Sequence, residues 1–480
     1  MRGQIMQIPL LWGDGRSHTD FDYETNLPVN MLCVMRPLKG ADGYMRMFPG
    51  LKKKADVAGA SRGVNWNTVK QAPYRVMGNQ LYLNGVSQGV IEGSDRVRIS
   101  HSRNSVAVVS SGSMFQIYYD GTRKTFANWP ASSGTGTSNP QYTWGQIADI
   151  TWHRGRYVFS TVDTDTFWCS DLEDESHPDK VAPFYRAESM PDGIRAIRTF
   201  HDYIVCFGSA SIEFFGLTGS SSPIYQQQPS YTANVGIAGR EAVADFADTF
   251  AFVTSPSCGV VTVGLMGGSG ATWEDIGSNQ VKKILETYTV AELEQAICEP
   301  LTFRAHKLLL VHLARHTLAF DANASKANGL PVWSIIKTGY PNQNRYRGID
   351  FMNEGPTVTC GDRSAAIWGE IDETTCAQYG EDQEIILFTT FLALENAMVN
   401  DFELDASVGG DSVVSRLWIS CTEDGANWSP EVLIDYNTPN QWLKRVLLRK
   451  IGRIRTSLAF KIRGVGATPA TLARARVRVS

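Results

Sequence analysis

Along most of this chain, apolar and β-branched residues gather in short runs separated by polar turns. From residue 56 to about 375 one unit recurs: an apolar strand, a short polar or Gly-containing turn, and a second strand often rich in aromatics. The instances are YRVMGNQLYL from Tyr74, VAVVSSGSMFQIYY from Val106, YVFSTVDTDTFWCS from Tyr157 and YIVCFGSASIEFFG from Tyr203. FAFVTSPSCGVVTVG from Phe250, LLLVHLARHTLAFDA from Leu308 and VTCGDRSAAIWGEI from Val358 follow. β-Branched and aromatic residues on both sides of a tight turn are the signature of a hairpin. Successive starts lie 32, 51, 46, 47, 58 and 50 residues apart, the spacing of propeller blades packed around an axis. The pattern predicts an all-β fold with a propeller-like domain of about seven hairpin repeats. A pair of stacked sandwiches also supplies hairpins at intervals and is the competing arrangement.

The flanks differ. Residues 1–55 carry scattered Pro9, Pro28, Pro37 and Pro49 with little periodicity. They read as an extended N-terminal arm, laid over another body or wrapped around its own domain. One helical insertion is predicted at 278–297, where Thr289 and Glu292 form a capping box and Ser278 or Asn279 caps the preceding turn. From residue 376 the spacing breaks. Strands from Ile385, Arg416, Lys444, Leu458 and Ala473 predict a β-sandwich over 376–480, a length suited to such a module.

Composition excludes several classes. With 43% hydrophobic and 20% charged residues, the 480-residue chain is neither disordered nor a coiled coil. Its eight cysteines include no C-x-x-C pair, so they read as small buried hydrophobes in a protein made in a reducing compartment. The N-terminus lacks the pattern of a signal peptide, and no apolar run approaches the ~20 residues that span a bilayer, so no membrane partner is expected.

The formal charge of −4 conceals a strong asymmetry. After Asp435 there is no acidic residue, but Lys444, Arg445, Arg449, Lys450, Arg453, Arg455, Lys461, Arg463, Arg474, Arg476 and Arg478 all lie there. Those 45 residues carry +11 and the remaining 435 carry −15. Strand geometry places Arg474, Arg476 and Arg478 on one face, and likewise Lys461 and Arg463. Three counterparts suit such a surface: phosphates in a channel, an acidic protein partner, or the acidic remainder of the chain or of a neighbouring subunit.

Candidate chemistry is sparse. His312 and His316 of HLARH have metal-ligand spacing only on a helix, and their context is β. SCTEDGANWS, with Asp424, Gly425 and Trp428, resembles the Asp-box hairpin turn, whose role is structural. GGSG at 267–270 lacks the Lys-Ser/Thr of a phosphate loop, and no G-x-S-x-G elbow is present. Asp171, Glu173, Asp174, Glu175, His177 and Asp179 cluster in DLEDESHPDK. Carboxylates beside a histidine can do acid–base work or bind calcium, but without EF-hand spacing the run reads as a solvated or interface-facing loop. No catalytic set, cofactor site or metal site is expected. A glycan-binding or glycan-hydrolysing propeller is the alternative, suggested by the Asp-box-like turn and twelve tryptophans.

Residues 172–219, LEDESHPDKVAPFYRAESMPDGIRAIRTFHDYIVCFGSASIEFFGLTG, closely resemble the tail-hub, or packaged-DNA stabilisation, proteins of short-tailed bacteriophages. DYETNLPVNML near Tyr23, GYMRMFPGLKK from Gly43 and SRGVNWNT from Ser61 resemble the same family. So do FRAHKLLLVHLARHTLAFDA from Phe303, YRGIDFMNEGPTVTCGD from Tyr346 and KRVLLRKIGRIR from Lys444, in order over nearly the whole chain. The resemblance implies a non-enzymatic virion protein made in the host cytoplasm. It implies a homohexamer below the portal and its adaptor ring that closes the channel with the tail needle and carries tailspikes; contact with packaged DNA in the lumen is an expectation from the basic surface. The sequence departs from the family pattern in the turn segments 131–141 and 220–230.

Overall fold

In the computed structural model, residues 4–10, 27–126, 145–179, 181–268, 272–342, 344–410 and 414–480 are described; the turn segment 131–141 and the end of the GGSG turn lie outside them. Seven antiparallel sheets follow one another, spanning 61–90, 98–126, 147–186, 196–227, 243–275, 297–345 and 348–372. Each begins with a strand facing a common axis, and the first strand of the last sheet packs against that of the first. This is a seven-bladed propeller. The seven hairpins of the sequence are the two middle strands of each blade, as in the register Tyr203↔Gly216 to Phe207↔Ile212. Middle strands are covered on both faces by neighbouring blades, which is why they carry the densest apolar runs. Aromatic rings fill the space between blades: Phe167 meets Phe215 edge-on at 5.0 Å and Phe207 meets Phe250 at 5.2 Å.

The predicted helical insertion consists of two short helices, α1 (Asn279–Glu286) and α2 (Val290–Glu294). Ser278 caps α1 by accepting from Val281 N, and Thr289 with Glu292 forms the capping box of α2. Val281, Ile284, Leu285 and Leu293 bury one face of the pair against blades five and six. A third helix, α3 (Ala322–Asn328), is not legible in the hydrophobic pattern, because ANASKAN has no apolar stripe. Its ends carry ordinary signals: Asp321 accepts from two N–H groups at the start, and Gly329 takes the left-handed conformation (φ 77°) at the end.

The N-terminal segment, expected as an extended arm over another body or around its own domain, is built into sheets of its own chain. Strands β1 (Gln4–Pro9), β2 (Met31–Val34) and β3 (Tyr44–Met47) join one sheet of the C-terminal sandwich. Strand β4 (Gly50–Asp56) instead becomes the outermost strand of blade seven, pairing with Ile367–Asp372. Between β1 and β2, residues 28–30 stitch the two domains together. Val29 exchanges backbone hydrogen bonds with Ile386, and Pro28 O and Asn30 N bond Ile335 of blade six. Leu51 is 1% exposed, packed with Leu32, Phe48 and Tyr346. A Cβ on Gly50 would come within 2.3 Å of the Ala377 carbonyl oxygen, so only glycine fits where the start of β4 passes the chain leaving blade seven.

The sandwich strands are β5 (Gln383–Phe388), β6 (Ala397–Ala406), β7 (Ser415–Thr422), β8 (Val432–Asn437), β9 (Val446–Ile454), β10 (Ser457–Gly466) and β11 (Thr471–Val479). One sheet runs β2-β3-β11-β6-β9, with β1 also on β11, and the other runs β5-β10-β7-β8. Between them lie Phe402 and Phe460, ring centroids 4.1 Å apart, with Ile8, Leu10, Met31 and Met45 supplied by the N-terminal segment.

Charged and polar groups from the innermost strands and the turns that lead into them meet around the propeller axis. Asp149 is fully buried, accepts from Arg98 at 3.0 Å and pairs with Arg198. Arg98 also reaches Glu241 (3.0 Å), Arg96 grips Asp350 through two bonds (2.9 and 2.6 Å), and Ser61 donates to Asp350. Glu299 accepts from Asp350 N and faces His312. Burial alone would raise the pKa of Asp149, but Arg198 and Arg98 more than offset it and hold it below the usual carboxylate range.

Replacing Asp149 by Ala leaves the buried Arg198 without its anion and Arg98 with Glu241 alone, and is expected to cost about 3–5 kcal/mol. Leu51→Ala, which opens a cavity at the propeller closure, is expected to cost about 2–5 kcal/mol. Equilibrium urea unfolding checks both; a loss below about 0.5 kcal/mol in either, the range of ordinary surface substitutions, would contradict the assigned role.

Candidate functional site

The basic C-terminal residues divide into two groups. The same-face arrangement of Arg474, Arg476 and Arg478 on β11 is present, and the neighbouring strand β6 answers it. Register pairs Asp405 with Arg474, Glu403 with Arg476 and Asp401 with Arg478. Arg474 and Arg476 share Asp405 at 2.7 and 2.6 Å, and Arg478 lies 3.6 Å from Asp401. Arg445 takes both oxygens of Glu403 at 2.6 and 2.8 Å, and this bond, chiefly, holds the Glu403 carboxyl below its ordinary pKa. Arg463, on the other sheet, stacks over Trp418 and pairs with Glu384 and Glu431, while Lys444 donates to Thr438.

The acids of this ladder escape a charge count of the terminal segment because they lie far upstream in sequence, on β6. They sit low, 14–19% exposed, while the guanidinium groups above them reach 20–55%. The outer face thus remains net positive, with Arg445, Arg449, Arg453, Arg474, Arg476 and Arg478 over three carboxylates. Arg449, Lys450, Arg453 and Arg455 lie on or beside β9, exposed and without an ion pair among the described residues. Lys461 is half-buried on β10, cross-strand from Ser420.

The acidic loop proves to be a hairpin that works mostly inward. Glu175 is buried and accepts from Ser102 and Ser105 of blade two at 2.7 and 2.6 Å. His177 is buried 3.0 Å from Asp174. Asp179 accepts from Val181 N and Ala182 N and pairs with Arg156 at 2.7 Å. Burial, the largest influence on Asp179, would raise its pKa; those donors bring it down. Only Asp171, Glu173 and Asp174 point outward, so Glu175, His177 and Asp179 are struts and not interface groups.

The remaining motifs are also structural. Asp424 accepts from Asn427 N, Ala426 N and Thr422, which holds its pKa at about 2, the backbone bond from Asn427 contributing most. Asp192 of the RAES-x-PDGI motif accepts from Ala210 N and Ser211 N, fixing a turn of blade four. His312 and His316 flank a turn; His312 faces Glu299 and His316 bonds the Tyr288 hydroxyl at 2.6 Å. No group of three or more His, Cys, Asp or Glu suited to a metal occurs among the described residues. No helix there is long and apolar enough to cross a membrane. A cavity of about 460 Å³ lies between β2, β3, blade six and the linker to the sandwich, lined by Met35, Met47, Phe303 and Ala324 beneath an Arg46–Glu373–Arg304 rim.

What fold and surface define is a propeller fused to a sandwich, whose charged groups lock blades and strands together and whose exposed cations offer contact. The description "Bacteriophage P22 Gp10, beta-propeller" matches residues 6–376, and "Bacteriophage P22 Gp10, beta-sandwich" matches 384–480. The chain therefore belongs to the P22 Gp10 family of short-tailed phage tail hubs, structural components of the virion tail and not enzymes. The tail hub protein gp10 of Salmonella phage P22 is 42% identical over 478 residues, covering 99% of both chains. Among solved structures, the extracellular domain of a one-component system from B. thetaiotaomicron aligns over 84% of this chain and 47% of its own, at 7% identity and TM-score 0.41. An exo-β-1,3-galactanase from Phanerochaete chrysosporium aligns over 81% and 97%, at 12% identity and TM-score 0.29.

Burial, with Arg154 beside His153 and with Lys337 and Arg315 beside His316, depresses both imidazole pKa values to about 4. The unfolded chain takes up these protons near pH 6.5, the folded chain only near 4. Stability should therefore be insensitive to these groups above about pH 7 and fall as pH drops from about 6.5 towards 4. A urea midpoint that stays flat across that interval in wild type, or slopes equally in a His153→Gln/His316→Gln variant, would refute the assignment.

Proposed function

We propose that the protein is made in the host cytoplasm and assembles as a homohexamer below the portal and adaptor ring after genome packaging. There it closes the DNA channel and provides attachment for the tail needle and tailspikes. The observation that carries this reading is the 42% identity to a tail hub protein across 99% of both chains, through propeller and sandwich alike. The architecture supports it. A protein that holds a channel shut under pressure needs domains that do not part, and here both domains share strands from one N-terminal segment. Function in such a subunit resides in buried surface and complementary charge between copies and partners.

The test mixes purified protein with DNA-filled heads that carry the adaptor but lack the hub. DNA leakage is expected to stop and new density to form below the portal. Heads that leak at the same rate and gain no density would overturn the proposal.

A further inference from the structure

The two ends of the sandwich differ. At one end β2 and β5 are sealed, because Val29 bridges Ile386 of β5 to Ile335 of blade six. At the other end β8 pairs only with β7, and β9 only with β6, so two strand edges are open among the described residues. These strands touch each other and are joined by the turn 438–445. That turn presents Trp442 at 65% and Leu443 at 95% exposure, and β8 adds Val432 and Leu433 at 44% and 49%. One side of the Trp442 ring lies over Gly409, where a Cβ would come within 2.7 Å, and most of the residue stays exposed. Arg449, Lys450, Arg453 and Arg455 line β9 and make no ion pair among the described residues.

Charges on an edge strand ordinarily guard it against unwanted pairing. That role explains the cations but not Leu443, whose side chain stands almost wholly in water beside an open backbone edge. Duplex DNA would use the cations and leave the aliphatic groups exposed. From this combination we infer that the open end of the sandwich docks an extended, acidic–apolar segment of another protein. The segment adds a strand to β9, sets its carboxylates against Arg449 and Arg453, and packs apolar side chains on Trp442 and Leu443. The inference extends the head–tail reading by naming the chemistry of one attachment, and it stands on this surface whichever component supplies the segment.

The test uses the full chain and three probes: a labelled ten-residue peptide alternating Glu and Val, its Lys–Val counterpart, and a 20-base-pair DNA duplex. Fluorescence anisotropy is read at low and high salt, with hydrogen exchange mapped over 446–454. The Glu–Val peptide is expected to bind, to protect β9, and to lose at least tenfold in affinity in Leu443→Asp and in Arg449→Glu/Arg453→Glu. Tighter binding of the duplex, equal binding of both peptides, or unchanged affinity in both variants would overturn the inference. So would self-association that Leu443→Asp abolishes and that excludes the peptide, since the occupant is then a second copy. If the variants unfold, exchange protection of β9 in wild type decides. Wild-type protein that seals heads but fails this test keeps its place as a hub and loses only this docking site.

Discussion

The closure of the propeller by β4 is the constraint on which the rest of the structure depends. The seventh blade has only three strands of its own, where the others have four or more, so its outer strand must come from another part of the chain. Here Gly50–Asp56, which precedes the first blade, pairs with Ile367–Asp372 at the end of the seventh. The same segment has already placed β2 and β3 in the sandwich and stitched residues 28–30 between Ile335 and Ile386. Propeller closure and sandwich completion therefore draw on the same segment, and neither domain is finished without the residues that end at β4. Contacts of such sequence separation make folding slow and give a subunit that resists being pulled into separate domains.

Charge is organised by the same long-range logic. Around the axis, Asp149, Glu241, Glu299 and Asp350 are dispersed from the third blade to the seventh, yet each meets an arginine, a histidine or a backbone donor. Buried ions of this kind contribute little net stability relative to apolar packing but penalise any blade order that would leave one unpaired. On the sandwich, Asp401, Glu403 and Asp405 neutralise part of the arginine ladder of β11 and hold its guanidinium groups in register. Among the described residues, the exposed cations left without an ion pair lie chiefly on and beside β9, a smaller set than the net charge of the terminal segment implies.

The division between legible and illegible features follows from the range of the interactions involved. The seven middle hairpins were legible because a strand buried on both faces must be apolar, and a two-strand turn is local. The capping box at Thr289 and Glu292 and the turn at Asp424 were legible because each is closed within a single turn of chain. The burial of Glu175 was not, since its partners Ser102 and Ser105 stand on another blade. The fate of the N-terminal segment was left open, since its scattered prolines and glycines read as an arm over another body or around its own domain; its apolar residues in fact complete two cores.

By itself, then, the sequence determined the all-β class, the recurrence of its hairpins and, through its motifs, the family; the blade count needed the structure. Periodicity, turn chemistry and motif identity are properties of neighbouring residues. Only the tertiary structure decided which strand closes the ring, which acids meet the arginines of β11 and which cations are left for a partner. A strand's edge and a charge's counter-ion are chosen by what lies beside them in space, and in this fold that neighbour comes from a distant part of the chain.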